Sequence, residues 1–114
     1  MVFSPVGFAA SFLRHQARYM SPEVVNSKPY GLKADVFSFC MLLYEIMALV
    51  KPFDKLTGKE VKEEVAILGR RPVIDKSWPV CIQRLLHRGF LEAPEGRPTM
   101  EDIQDALEDL VDGV

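Results

Sequence analysis

The most restrictive feature of this 114-residue sequence is an apolar stretch over residues 34–50. Only Asp35, Ser38 and Glu45 interrupt it. A helix that is apolar on every side has to be buried on every side. The stretch is too short and too interrupted to cross a bilayer, which needs about 20 mostly apolar residues. It therefore predicts one central buried helix at about residues 34–50, closed by Pro52, because proline cannot donate a hydrogen bond to the preceding turn.

Three shorter helical patterns follow the central helix, and no strand pattern competes with them. The first begins at the capping pair Thr57 and Glu60 and ends at Gly69, a natural helix stop. The second begins at Pro79, which suits a first helical turn, and the third begins at Thr99. The apolar residues expected to face the central helix recur at helical spacing: Val61, Val65, Leu68, Ile82, Leu85, Leu86, Phe90, Met100, Ile103, Leu107, Leu110 and Val111. The predicted fold class is all-α.

Charge and cysteine content exclude several classes of function. The net charge is -2 and the last helical pattern holds six acidic residues, so neither nucleic acid nor an anionic membrane is an expected partner. Cys40 and Cys81 lie in apolar runs, as buried free thiols do. No metal-ligand spacing joins them to His15 or His87. We therefore expect an intracellular protein, placed in the cytoplasm, with no metal site.

Residues 1–16 differ in composition from the rest of the chain. They contain no acidic residue, are rich in Phe and Ala, and carry Arg14 and His15. A targeting segment has this composition, and so does an artefactual or alternative start. The sequence leaves both interpretations open, and we treat residues 1–16 as separate from the domain that follows.

Three motifs then occur in a fixed order. Residues 18–23 read Arg-Tyr-Met-Ser-Pro-Glu, residues 34–46 contain Ala-Asp-Val-Phe-Ser-Phe and Leu-Leu-Tyr-Glu-Ile, and residues 95–100 read Glu-Gly-Arg-Pro-Thr-Met. The first resembles the end of a protein kinase activation segment, with Ser-Pro-Glu in place of the usual Ala-Pro-Glu. The second is similar to the central F helix of that family, and the third to the Arg-Pro-Thr junction before its last helix. Each motif is weak alone, but their order is specific.

By this resemblance, residues 17–111 are identified as part of a protein kinase domain, its C-terminal lobe. Residues 112–114 are then a tail. The residues in the first two motifs resemble those of the tyrosine-kinase-like group, whose members mostly phosphorylate Ser and Thr. The resemblance stops at about Ala17, because the two preceding positions, usually Gly-Thr, are His15 and Gln16 here.

The resemblance implies structural roles for six residues. Glu23 and Arg97 would form a buried ion pair that ties the end of the activation segment to the loop before the last helix. Asp35 would anchor the start of the central helix, either through the backbone of a catalytic loop or only as an acid favoured by the helix dipole. Three residues would be the remnant of the loop that positions a peptide substrate, or else plain packing residues: Arg18, Tyr19 and Met20.

The groups that carry out phosphoryl transfer in this family are missing from the sequence. The reaction needs a glycine-rich loop, a strand lysine, a catalytic-loop Asp and Asn, and the Asp of Asp-Phe-Gly to hold Mg-ATP. No Gly-x-Gly and no Asp-Phe-Gly occurs here, and the nearest match to His-Arg-Asp is His-Arg-Gly at residues 87–89, inside a helical pattern. We therefore expect no catalytic residue and no cofactor site in this chain, although the family uses ATP and Mg.

Three interpretations of function follow. The first is a truncated kinase domain that is inactive by itself. The second is a helical interaction module whose charged helix at residues 57–69 is the docking face. The third is an incomplete portion of an active kinase. Expected partners are another protein or the missing kinase half, and exposed apolar surface is expected to favour self-association.

Overall fold

The structure, a computed structural model, describes residues 17–112. The expectations for residues 1–16 therefore lie outside the described part. Within it, the chain forms five α-helices and no strand: α1 Pro22–Val25, α2 Leu32–Ala48, α3 Gly58–Lys62, α4 Val80–Gly89 and α5 Met100–Asp112. Helix α3 continues as a π-helical stretch, Glu63–Ile67, and single 3-10 turns occupy Ala17–Tyr19 and Pro94–Gly96. The prediction of an all-α fold is confirmed.

Helix α2 is the centre of the fold over its first two-thirds only. Ala34, Phe37 and Met41 are fully buried, whereas Ile46 near the other end is 60% exposed. The expectation of a helix buried on every side is thus wrong for the last turns, because no element of the described chain covers that side. Nor is any helix within residues 17–112 both long and apolar enough to span a membrane.

The bounds of α2 also differ from the expected 34–50. The helix begins at Leu32, after Gly31 in an extended conformation, and ends at Ala48. It ends because Leu49 adopts a left-handed backbone conformation, with φ of 60°, and donates its N–H to the carbonyl of Glu45 at 2.8 Å. A left-handed residue closes a helix in this way. Pro52, to which the sequence analysis attributed the helix end, lies beyond it.

Most of the predicted core residues on the shorter helices are buried. They form one cluster with α2: Val61, Val65, Ile82, Leu85, Leu86, Phe90 and Ile103. The capping pair Thr57 and Glu60 is confirmed, since the two residues exchange hydrogen bonds, and Thr99 and Asp102 exchange the same kind of bonds at the start of α5. These local signals place α3, α4 and α5 around the central helix, with α4 beginning just after Pro79.

Two of the expected core positions on the shorter helices, Leu68 and Val111, are exposed. Three others pack against the core but are only partly buried: Met100, Leu107 and Leu110. Leu68 is 70% exposed, because it follows the π-helical stretch, whose wider turn brings a residue back to the core side later than α-helical spacing predicts. Val111 is 71% exposed, whereas its neighbour Leu110 in the same last turn of α5 packs against the core. Cys40 is buried as expected, but Cys81 is only half-buried.

Close contact between α4 and α2 depends on a glycine. A Cβ atom added at Gly89 would lie 2.2 Å from Sγ of Cys40 and 2.9 Å from its Cβ. We expect Gly89→Ala to lower the free energy of unfolding by about 1–3 kcal/mol through overpacking, although alanine is the better helix former. In urea denaturation, Cys40→Ala should relieve part of this loss in the double variant. Strict additivity of the two single losses would contradict the contact.

Candidate functional site

The most deeply buried charged group in the described chain is the guanidinium of Arg97. Its side chain is fully buried. Nη1 donates to Oε2 of Glu23 at 2.7 Å and to the carbonyl of Lys33 at 2.9 Å. Nη2 donates to Oε1 of Glu23 at 2.9 Å and to the carbonyl of Glu92 at 3.2 Å, and Nε donates to the carbonyl of Leu91 at 2.8 Å. All five N–H donors of the guanidinium therefore have an acceptor.

The local sequence around each partner explains how they meet. Glu23 lies in the first turn of α1, directly after Pro22, where the helix dipole favours an acid. Arg97 has an extended backbone between the Pro94–Gly96 turn and Pro98, as expected for a residue that precedes proline. The structure thus brings together two residues separated by 74 positions, in a bidentate ion pair.

The ionisation of Glu23 reflects this pairing. Burial by itself raises the pKa of Glu23, because it removes the carboxylate from water. The hydrogen bonds and positive charge of Arg97 act in the opposite direction and outweigh burial, so the pKa of Glu23 lies below its ordinary value. The carboxylate is consequently ionised at neutral pH, and the ion pair is fully formed.

Arg18, which precedes α1, holds the loop between α2 and α3. Nη1 donates to the carbonyls of Pro52 at 3.2 Å and Phe53 at 2.5 Å, and Nη2 donates to the carbonyl of Leu56 at 2.8 Å. Its guanidinium thus serves as an organising centre for a loop that contains no regular hydrogen-bond ladder. The side chain is directed at the protein itself, as is expected of a packing residue.

Tyr19 is fixed to α2 at two points. Its carbonyl accepts a hydrogen bond from the hydroxyl of Ser38 at 2.7 Å, and its own hydroxyl donates to the carboxylate of Glu45. Burial and this hydrogen bond raise the pKa of Tyr19 to about 12, so the phenol keeps its proton at neutral pH. Met20 is half-buried beside it. Residues 18–20 therefore form one segment anchored to α2 and to the loop that follows it.

Asp35 is buried in the first turn of α2. A carboxylate at this position is favoured by the positive end of the helix dipole. Residues 87–89, the nearest match to His-Arg-Asp, belong to α4 as expected. Among residues 17–112, no group of three or more metal-ligating side chains comes together. The described residues of the site thus form a structural frame, in which side chains hold neighbouring segments of the chain together.

Sequence reasoning missed a second guanidinium in this frame. The guanidinium carbons of Arg71 and Arg97 lie 5.2 Å and 5.0 Å from the centroid of the Phe37 ring. Nε of Arg71 donates to the carbonyl of Phe90 at 2.6 Å, and Nη1 donates to that of Val65 at 3.1 Å. The sequence signal that could have indicated Arg71 is the repeated Arg-Pro dipeptide, at residues 71–72 and 97–98. In the structure both prolines are buried as well.

Comparison with known proteins gives the family. The family model described as protein tyrosine and serine/threonine kinase matches residues 10–107. The chain is 38% identical over 88 residues to mitogen-activated protein kinase kinase kinase 7 of Homo sapiens. It is 34% identical over 91 residues to serine/threonine/tyrosine-protein kinase HT1 of Arabidopsis thaliana, and 37% over 101 residues to dual specificity protein kinase shkB of Dictyostelium discoideum.

The chain belongs to the protein kinase family. Its relatives are of the tyrosine-kinase-like kind, so the recognition made from the three ordered motifs is confirmed. The three alignments cover 76%, 80% and 84% of this chain but only 14%, 23% and 16% of the respective relatives. The family match begins at residue 10, upstream of Ala17, where the sequence analysis placed the start of the resemblance.

The Glu23–Arg97 pair predicts a specific dependence of stability on pH. Because its folded pKa is lowered, Glu23 contributes stability that is present above its unfolded pKa of about 4.3 and is lost as pH falls through the folded value. Glu23→Gln should lower the free energy of unfolding at pH 7 by about 3–5 kcal/mol, because it leaves a buried guanidinium without its counter-charge.

The measurement is urea denaturation of both proteins between pH 7 and pH 3. The difference between them should shrink as the wild-type carboxylate takes up its proton. Glu95→Gln, an exposed residue of the neighbouring turn, is the matched control and should change stability by less than about 0.5 kcal/mol. A Glu23→Gln protein as stable as the control at pH 7 would contradict the role of the pair.

Proposed function

We propose that these 114 residues provide the helical frame of a kinase domain of the serine/threonine type and do not transfer phosphate by themselves. For the whole protein, the proposed activity is ATP-dependent phosphorylation of Ser and Thr in other proteins. The observation that carries the proposal is the frame centred on Arg97, which joins α1, the start of α2 and the loop before α5.

The residues present do not fit Mg-ATP. The sequence has no Gly-x-Gly spacing and no Asp-Phe-Gly, and residues 17–112 hold no cluster of metal-ligating side chains. His87 and Arg88 lie on the exposed side of α4, followed by a buried Gly89 where a catalytic Asp would be required. This chain would therefore supply no reacting group for phosphoryl transfer, and ATP and Mg would be held by other parts of a complete domain.

The contribution of this chain to the proposed activity would be positional. By the resemblance, residues 18–20 belong to the loop that positions a peptide substrate. The side chain of Arg18 donates to carbonyls of the α2–α3 loop, and Tyr19 is bonded to α2 through both its hydroxyl and its backbone carbonyl, so this segment is held in place. Phosphoryl transfer depends mainly on positioning and charge, so a fixed loop of this kind is a useful part of the machinery even without a reacting group.

A non-catalytic interaction module is the second candidate function. Lys59, Lys62 and Glu63 are exposed on α3 and its π-helical extension, and they border the exposed apolar residues Ile67 and Leu68. A mixed apolar and charged surface suits a protein partner or the remaining half of a kinase domain. Such π-helical stretches are frequent at functional sites. We also propose a cytoplasmic location, and self-association through exposed apolar side chains stays a prediction.

Titration with Mg-ATP tests the proposed inactivity. The midpoint of thermal unfolding of the 114-residue chain should not change with Mg-ATP, because a ligand stabilises a folded protein only in proportion to its binding. A kinase domain with all its catalytic motifs is the positive control. A saturable rise of several degrees in this chain would overturn the proposal. Catalytic motifs found in frame upstream of Met1 would instead identify the chain as part of an active kinase and leave this result unchanged.

A further inference from the structure

An apolar groove runs along one side of α5. It encloses about 480 Å³ between α5 and Phe39 of α2. Its walls are mostly apolar and include Ile103, Leu107 and Val111, with Glu108 and Asp112 at the end near the helix terminus. Val111 is largely exposed there, so the groove is open to an occupant. An apolar surface of this kind is covered in most folded proteins.

The charge around the α5 groove is one-sided. Helix α5 carries six acidic residues and no Lys or Arg. Glu108 and Asp112 lie toward the C-terminal end of the helix, where the dipole disfavours negative charge. Within residues 17–112, no salt bridge reaches either of them, and Glu108 accepts only a hydrogen bond from Gln104, at 3.1 Å. The groove therefore favours an occupant that combines apolar side chains with positive charge.

We propose that the α5 groove is the docking site for residues 1–16 of this chain. These residues lie outside the described part of the chain. They carry no acidic residue and one arginine, Arg14, to complement the acidic end of the groove. Seven of the sixteen are large and apolar: Met1, Val2, Phe3, Val6, Phe8, Phe12 and Leu13. The composition matches both the lining and the charge of the groove.

The chain is long enough to make this connection. Residues 1–16 join the described part at Ala17, and two positions later the carbonyl of Tyr19 is bonded to Ser38, the neighbour of Phe39 in α2. Sixteen residues span up to about 50 Å when extended, whereas the largest dimension of the protein is 40 Å. The proposal is independent of phosphoryl transfer, so it stands or falls separately from the proposed function.

Disulfide trapping in the full chain tests the docking. In a Cys81→Ser background, Phe12→Cys is combined with Val111→Cys in the groove. The control pairs Phe12→Cys with Val73→Cys, a position in the loop between α3 and α4 that is at least as exposed as Val111. In a glutathione redox buffer, the groove pair should form an intrachain disulfide with an effective concentration at least roughly tenfold above that of the control. Adding Glu108→Lys should reduce this advantage, and adding Arg14→Glu as well should restore it.

Two results would overturn the proposal. Equal effective concentrations for the groove pair and the control would show no docking, and a disulfide between two chains would identify a second copy as the occupant. The variants leave the core intact, because Val111 is exposed and residue 12 lies outside the described core. A second pair, Phe8→Cys with Gln104→Cys, repeats the test at the middle of the groove if the first pair does not fold.

Discussion

The rest of the structure depends on one guanidinium. Arg97 binds the carboxylate of Glu23 and three backbone carbonyls, so a single side chain joins α1, the start of α2 and the loop before α5. A buried ion pair alone is weak evidence for stability, because desolvation offsets much of its attraction. Here every N–H donor of Arg97 has an acceptor. Loss of Arg97 would therefore leave the Glu23 carboxylate and the buried carbonyls without these hydrogen bonds. The geometry of the frame therefore follows from the hydrogen bonds that this one guanidinium makes with all of its N–H donors.

Phe37 makes this arrangement compatible with a second cation. Arg71 and Arg97 both lie within 5.2 Å of its ring centroid, and the ring also contacts Phe90, with centroids 5.8 Å apart. The negative face of an aromatic ring attracts guanidinium groups, which partly compensates for their mutual repulsion. Burial, and to a lesser extent the positive charge of Arg97, lowers the pKa of Arg71, whereas the carboxylates of Glu92 and Glu23 act in the opposite direction. Its bonds to carbonyls favour the charged form, so two positive charges persist around one carboxylate.

The features that could be predicted from the sequence are local ones. The capping pairs at Thr57 and Thr99 and the spacing of Ile82, Leu85 and Leu86 depend on neighbours within two turns, which periodicity describes. The end of α2 at Leu49 could not be predicted, since a left-handed leucine has no sequence signal such as glycine. The exposure of Leu68 was missed because the π-helical stretch shifts the phase of the pattern. The nearness of Glu23 to Arg97 came from the resemblance, because no periodicity links positions so far apart.

The buried hydroxyl of Ser21 shows how tolerant this frame is. Serine replaces the usual alanine of the Ala-Pro-Glu motif, and its side chain is fully buried. The hydroxyl has no partner in hydrogen-bonding geometry among the described residues. An unmet buried hydroxyl costs about 1–3 kcal/mol. The frame tolerates this cost because Arg97 holds the same turn through its two hydrogen bonds to Glu23. The shape of this lobe thus depends on the contacts that Arg97 makes with Glu23 and with the backbone.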